Sequence, residues 1–305
     1  MMPTLDIAVA GCGPGGLAVA LMLQREGHRV RLFERFDAPR PMGSGLMIQP
    51  SGQAVLRELG LDGQLALRSA RIERLFGQAE GHTVLDVRYA ALAAGTAYGL
   101  GTHRAALFDV VFQAVRAAAI PIETGRTVEG SMVDGAARRL RFADGGGEGP
   151  FDLVVDALGT RSPLAPPTGK PLAYGALWAS LDWPASGQFD ASALEQRHER
   201  ASAMAGVLPL GRPHADRPAQ AAFFWSLRAD RLDAWRAAGL ERWKQEVSAL
   251  WPTTGPLLDQ IPPAPGRSRD GSSIPRTPRK ALRWPSGSRP SLSPRRESRS
   301  IPASC

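Results

Sequence analysis

Apolar residues recur at two spacings along the first 261 positions, and the switches between them mark the elements. Leu5-Asp6-Ile7-Ala8-Val9-Ala10 is a short, nearly continuous apolar run stopped by Gly11, the pattern of a strand buried on both faces. A helical pattern follows, then a second strand at Arg29-Val30-Arg31-Leu32-Phe33. Ser51 is placed to cap a helix carrying Val55, Leu56 and Leu59 and ending at Gly60. Strands are expected over 72–76 and 83–88 around a glycine-containing turn at 77–81. Leu107, Val110, Val111, Ala114 and Val115 keep helical spacing after Gly101. A short strand at 120–124 precedes a hairpin, 127–133 with 138–142, turning at Asp134-Gly135. One buried strand is then expected over 151–159. From Pro171 the texture changes to strands at 176–181, 201–208 and 220–227, followed by helices at 231–238 and 241–250, with Trp251-Pro252 as a stop.

Composition narrows the class without naming a function. The chain has 305 residues, 43% hydrophobic and 22% charged, values typical of a globular protein with ample core. No apolar run approaches the length of a bilayer crossing, so no membrane association is expected. Two cysteines, Cys12 and Cys305, and no secretory pattern at the start fit a cytoplasmic location. The net charge of +8 belongs to the end of the chain: residues 262–305 hold ten basic and two acidic residues, and the preceding 261 hold 27 of each. A nucleic-acid partner for the body is therefore not expected. The five histidines are scattered, so no metal site is expected either.

The sharpest chemical signal is Gly11-Cys12-Gly13-Pro14-Gly15-Gly16 between the first strand and first helix, with Glu34 closing the second strand. Gly11 permits the tight turn, Gly13 lets a pyrophosphate approach the backbone, and Gly16 lets the helix pack on the strand. The helix start offers unpaired N–H groups to phosphate. Glu34, 18 residues after Gly16, is placed to accept hydrogen bonds from a ribose. Strand, glycines, helix, strand and acid together indicate a dinucleotide, FAD or NAD(P). Cys12 reads as a small space-filling residue. Five of the seven tryptophans fall between Trp178 and Trp243; core packing and an aromatic wall for an apolar ligand are both open to them. His82, Arg88, Tyr98 and Trp225 are candidates to face a substrate, with surface or core roles open to each.

Three motifs in this order resemble the FAD-dependent aromatic hydroxylases, the single-component flavoprotein monooxygenases of the p-hydroxybenzoate hydroxylase type. They are the glycine turn with Glu34-Arg35, then Gly101-Thr-His103-Arg104-Ala-Ala-Leu107, then Asp152-Leu-Val-Val-Asp156-Ala-Leu158-Gly159-Thr-Arg161-Ser162. The resemblance covers about residues 5–261 and favours FAD as the held dinucleotide, with NADPH or NADH as co-substrate, O₂, and a small aromatic or other apolar substrate. It implies an α/β fold: a Rossmann-like FAD-binding βαβ domain at 1–71 and 98–168 and an inserted antiparallel-sheet substrate domain at 72–97 and 169–261; composition, not the resemblance, makes 262–305 a disordered tail. It also implies a cofactor-binding set: Gly11, Gly13, Pro14, Gly15, Gly16, Glu34, Arg35, Gly45, Arg104, Val128, Asp156 and Gly159. Arg104 would neutralise cofactor phosphate or contact the flavin side, a role its place inside the motif favours over capping or pairing on its helix. Arg35 would meet the adenosine edge, or lie on plain surface. No side-chain nucleophile is required, since the cofactor carries the difficult chemistry.

Two departures from the family pattern stand out. Its Gly-Ala-Asp-Gly stretch is Asp156-Ala157-Leu158-Gly159 here, so an apolar residue replaces the carboxylate, and Asp156 is the candidate substitute. The Gly-Asp-Ala-Ala-like segment that follows the substrate sheet is absent. In its place residues 262–305 carry nine Pro, ten Ser and nine Arg, a composition that cannot build a core and that suggests an out-of-frame reading of coding sequence; the alternatives are a genuine Arg/Ser-rich tail for RNA or acidic partners, or a solvated tail with no partner. The chain is thus expected to be an FAD-dependent monooxygenase, possessing full or impaired activity. The alternatives are an FAD-dependent reductase or halogenase-like oxidoreductase, or an inactive flavin-binding remnant.

Overall fold

The strand Asp6–Ala10 (β1) is buried from Ile7 onward because it sits inside a parallel sheet with layers on both faces. The computed structural model describes residues 3–41, 43–92, 95–165, 172–200 and 202–262. Across this sheet the order is Leu153–Asp156 (β12), β1, Arg29–Phe33 (β2) and Ile122–Glu123 (β8), all parallel. The helix Pro14–Arg25 (α1) starts on proline, whose fixed φ and missing N–H suit a first turn. It packs beside Arg104–Ala117 (α4) on one face of the sheet, burying Leu17, Leu21, Val110, Val111 and Val115 with Ile7 and Val9. Pro50–Glu58 (α2) and Asp62–Ala66 (α3) close the edge of that core through Leu56 and Leu65.

The opposite face is covered by an antiparallel sheet, Val128–Asp134 (β9), Ala137–Phe142 (β10) and Gly147–Phe151 (β11). Strand alternation delivers Leu140 and Phe142 inward onto Ala8, Ala10 and Phe33. The Phe33 ring lies 5.5 Å from Phe142 and 5.9 Å from Phe151.

A second region begins with a small sheet of Gly45–Ile48 (β3), Gly99–His103 (β7) and Ala70–Ile72 (β4). Against it stands a six-stranded sheet in the order Tyr174–Asp182 (β13), Gln220–Arg228 (β16), Ala203–Gly211 (β15), Ala193–Glu199 (β14), Arg74–Ala79 (β5) and His82–Arg88 (β6). One face of β13, β15 and β16 buries Leu177, Leu181, Val207, Phe223 and Trp225 under Leu232–Ala238 (α5), Leu240–Leu250 (α6) and Gly255–Leu258 (α7). The alternate residues, including Ser180, Leu208, Leu210 and Ala222, face β3, β4 and β7. The two sheets meet through glycines. A Cβ at Gly101 would overlap the Pro209 carbonyl, one at Gly45 would overlap Leu210, and one at Gly211 would overlap the Ser69 backbone.

The fold is therefore α/β, a Rossmann-like unit joined to a sheet that is antiparallel except where β14 and β5 run parallel, because β14 lies beside a strand from an earlier stretch of the chain. Several local expectations change. The single strand expected over 151–159 is two, because Asp152 exchanges hydrogen bonds with Asp6 and turns the chain from one sheet into the other. Ser51 lies within the first turn of α2, whose cap is Gln49, because Pro50 already occupies the first helical position. The turn of the β5–β6 hairpin is only Glu80-Gly81, both with positive φ. Strand β14 was not expected, since its residues are mostly polar. Trp225 and Trp243 belong to the core under α6, which removes Trp225 as a ligand-facing candidate. The expectation for 263–305 lies outside the described residues.

Candidate functional site

Strands β1, β2 and β12 end on the same side of the parallel sheet, and the loops leaving them surround a cleft of about 940 Å³. Carboxyl ends of parallel strands are where α/β folds bind ligands, because successive loops diverge there and helix amino termini point inward. Gly11, Gly13, Pro14, Glu34, Arg35, Arg104, Val128 and Gly159 all line this cleft. Eight residues from five separate stretches of sequence thus share one space.

The glycines of the turn have different physical tasks. Gly11 adopts φ +105°, and a Cβ there would lie 2.6 Å from the Ala157 carbonyl oxygen, so the turn can pass under the β12 loop only as glycine. At Gly16 a Cβ would overlap the Gly11 carbonyl, which couples the start of α1 to the end of β1. Gly13 differs from both. Its backbone is extended at φ −71°, open to any residue, and a Cβ would meet nothing within 4 Å. What its missing side chain preserves is room in front of α1. That helix has no side-chain cap, and its first internal bond is Leu17 N–H to the Gly13 carbonyl, so the amides of its first turn are left for a ligand.

Glu34 is 8% exposed and faces the same space. Its carboxylate accepts the Cys12 N–H at 3.0 Å through Oε2 and the Phe36 N–H at 3.1 Å through Oε1. These bonds hold the acid at the mouth of the glycine turn and leave each oxygen further lone pairs. Burial first, and the nearby Glu34 charge second, push the Cys12 thiol up to about 12. Cys12 is therefore a neutral filler whose backbone amide does the useful work.

Charge around the cleft is unbalanced. Arg35, Arg40, Arg104, Arg141 and Arg161 line it against Glu34 and Glu129, an arrangement suited to a polyanion. Arg35 and Arg40 both lie over the Phe36 ring, at 4.7 and 4.3 Å from its centre. The Arg104 side chain runs across Gly43. Leu46, Ile48, Leu107 and Phe108 make a more apolar end. Sequence reasoning missed Arg40, Arg141 and Ile48. The one available signal was Arg141, which alternates with the buried Leu140 and Phe142 and must point outward.

Four expected residues are not in the lining. Gly15 is exposed on the first turn of α1, Gly16 is buried in the strand–helix contact, and Gly45 is pressed on Leu210 and Ala222. Asp156 accepts the Leu158 N–H at 3.0 Å and the Ser162 hydroxyl at 2.6 Å. Its carboxylate thus holds its own turn, while Leu158 lines the cleft. Tyr98 lies under the Arg71 guanidinium, 4.1 Å away, and His82 and Arg88 sit on the exposed strand β6.

A second cavity of about 580 Å³ lies at the other end of the sheet, beside Asp6, Arg29 and Arg31. Its charges are already matched, Arg29 to Asp6 at 2.6 Å and Arg31 to Glu148 at 3.3 Å. Among the described residues no cluster of His, Cys, Asp or Glu could hold a metal ion. No helix among them is long and apolar enough to cross a membrane.

Comparison with known proteins adds a family to this geometry. The model of the FAD binding domain family matches residues 4–168. The chain is 35% identical over 164 residues to 3-amino-4-hydroxybenzoate 2-monooxygenase of Streptomyces cremeus, covering 52% of this chain and 40% of that one. It is 30% identical over 166 residues to 6-hydroxynicotinate 3-monooxygenase of Bordetella bronchiseptica, covering 52% and 42%. Among solved structures, the tetrameric form of 2-methyl-3-hydroxypyridine-5-carboxylic acid oxygenase superposes with a TM-score of 0.68 at 19% identity, over 85% of this chain and 67% of that chain. The chain spans about two fifths of the length of the curated relatives it matches.

Proposed function

The chain belongs to the FAD binding domain family, and from that premise we propose that it serves a flavin-dependent monooxygenase acting on a small aromatic or other apolar substrate with NAD(P)H and O₂. The observation that carries the reading is the open space at Gly13: a buried acid, a run of uncapped helix amides and five arginines converge on a volume that a single methyl group would invade. Those features fit a dinucleotide. When bound, FAD supplies the redox chemistry, accepting hydride equivalents and activating O₂.

The chain's own residues bind and orient. The first-turn amides of α1 and the space at Gly13 would take the pyrophosphate. Glu34 would accept from the adenosine ribose through its remaining lone pairs, and Arg35 and Val128 would lie at the adenine end. Arg104, with the apolar Leu46 and Ile48, would hold the flavin end. Residues 1–71 and 98–168 would form the cofactor unit, and 72–97 with 169–261 the substrate unit. Their two large hydrophobic clusters are separate, which supports that division, and a smaller one joins Met47 and Ala70 to Leu208, Leu210 and Ala222 across the seam. The ring compounds named for the relatives support a planar, ring-containing substrate for this chain.

The test is direct. The purified full chain is titrated with FAD, and NADPH consumption is followed with and without phenolic acids. Bound yellow flavin with phenol-stimulated NADPH oxidation is expected. A chain that takes up no FAD at saturating concentrations refutes the proposal, and bound flavin without substrate-stimulated oxidation confines the chain to cofactor binding.

A further inference from the structure

Three consecutive residues, Gly43, Ser44 and Gly45, touch both parts of the molecule. The Arg104 side chain crosses Gly43 so closely that a Cβ there would lie 2.6 Å from its Cδ. The Ser44 carbonyl accepts the Arg104 amide at 2.7 Å. The Ser44 hydroxyl, on a residue only 5% exposed, lies 2.6 Å from Ser180 Oγ on β13. Gly45 rests on Ala222, the cross-strand partner of Ser180. The segment that backs Arg104 is thus fastened to one small area of the six-stranded sheet.

His103 joins the start of α4 to the same spot. Its Nδ1 accepts the Ala105 N–H at 3.1 Å and caps α4. A neutral imidazole accepting at Nδ1 carries its proton on Nε2. Nε2 lies 3.2 Å from Ser180 Oγ and so donates to it, while a second bond joins the Ser180 and Ser44 hydroxyls. A chain of hydrogen bonds thus runs from the start of α4, through the sheet, to the loop beneath Arg104. Ser180 takes part in both bonds, a double duty no apolar residue can replace.

The geometry points to Ser180 as a positioning residue for cofactor binding, one that ties the posture of Arg104 to the docked state of the six-stranded sheet. This rests on the reading of Arg104 as a cofactor contact. Ser180 is not part of the cleft lining; it acts through Ser44 and His103. Its consequence is coupling: FAD is held at full affinity only when the sheet is seated on residues 43–45.

The experiment uses the full chain as wild type, Ser180→Ala, Ser180→Thr, Ser44→Ala and the double alanine variant. FAD affinity is read by flavin fluorescence quenching, and amide hydrogen exchange is followed across residues 103–107. Ser180→Ala, which removes both bonds, should weaken FAD binding at least about fivefold, the size of one lost net hydrogen bond, and speed exchange at 103–107. Ser180→Thr, which keeps the hydroxyl in a strand that favours branched residues, should restore both. The double variant should be no weaker than Ser180→Ala alone, since that change already removes the bond between the two hydroxyls. Equal loss in the alanine and threonine variants, additive losses, or unchanged exchange would each overturn the assignment. Wild-type protein that binds no FAD would sink the flavin reading instead, and exchange at 103–107 would then decide the role of Ser180 alone.

Discussion

A side chain added at Gly13 should remove the cofactor and leave the fold standing. The backbone there is extended, with φ −71° and ψ 169°, and no heavy atom lies within 4 Å of a Cβ built on it. Replacing glycine at such a compatible position stabilises a protein by about 0.4–1 kcal/mol, through the unfolded chain. The apo form of Gly13→Val should therefore melt no lower than wild type. Its branched side chain, however, stands where the pyrophosphate must approach the first amides of α1. Losing two charge-assisted hydrogen bonds at about 1.5–3 kcal/mol each removes about 3–6 kcal/mol of binding, a hundredfold or more in Kd. Flavin titration and thermal melting on the same preparations separate the two effects. Gly16→Ala is the internal control: its Cβ would overlap the Gly11 carbonyl, so that variant should lose stability with or without flavin. A Gly13→Val protein that binds FAD like wild type, or one that melts well below it, would rule out Gly13 as the place where the pyrophosphate approaches α1.

Three further outcomes are expected. Glu34→Gln keeps one acceptor but turns an amide N–H₂ toward a backbone N–H, so the urea midpoint should fall by the equivalent of about 1–3 kcal/mol and FAD affinity should drop with it; an unchanged midpoint would argue against the buried acid's anchoring role. The Cys12 thiol is raised by burial and by Glu34, from an ordinary value of 9.0 to about 12, so the folded state holds its proton more tightly than the unfolded one. Stability from this source is complete below pH ~9 and is lost as pH rises toward ~12, at up to about 1.4 kcal/mol per unit, and Cys12→Ala should flatten that part of a denaturation-versus-pH curve. Gly101→Ala forces a methyl group into the Pro209 carbonyl and should destabilise by about 2 kcal/mol in chemical denaturation; wild-type stability there would show that the two sheets are not locked by close approach.

The parts of the cleft visible in the sequence are those that neighbouring residues build together. Gly11, Gly13, Gly16 and Glu34 lie in one strand–helix–strand unit, where the positive φ of Gly11 and the close contact of Gly16 with Gly11 are set locally. Apolar periodicity likewise marked β1, β2, α4 and the β9–β10 hairpin, because burial on one or two faces leaves a repeat in the chain. Polar strand β14 left none, since it is held by its neighbours' backbone groups in the sheet. Asp156 looked available for a ligand, but its own turn consumes the carboxylate through Leu158 and Ser162. Periodicity reports that a face is covered and is silent about what covers it.

By itself, the order of residues determined the glycine turn, the acid that closes β2 and the α/β alternation, because these depend on φ limits and on repeats within a few tens of residues. Tertiary structure alone decided the convergence of Arg35, Arg40, Arg141 and Arg161 on one cleft, the seating of Gly45, Gly101 and Gly211 in the seam between sheets, and the meeting of Ser44 with Ser180, 136 positions away. Such contacts arise from the docking of separately formed surfaces, where backbone meets backbone or one hydroxyl finds another. No local repeat encodes that geometry.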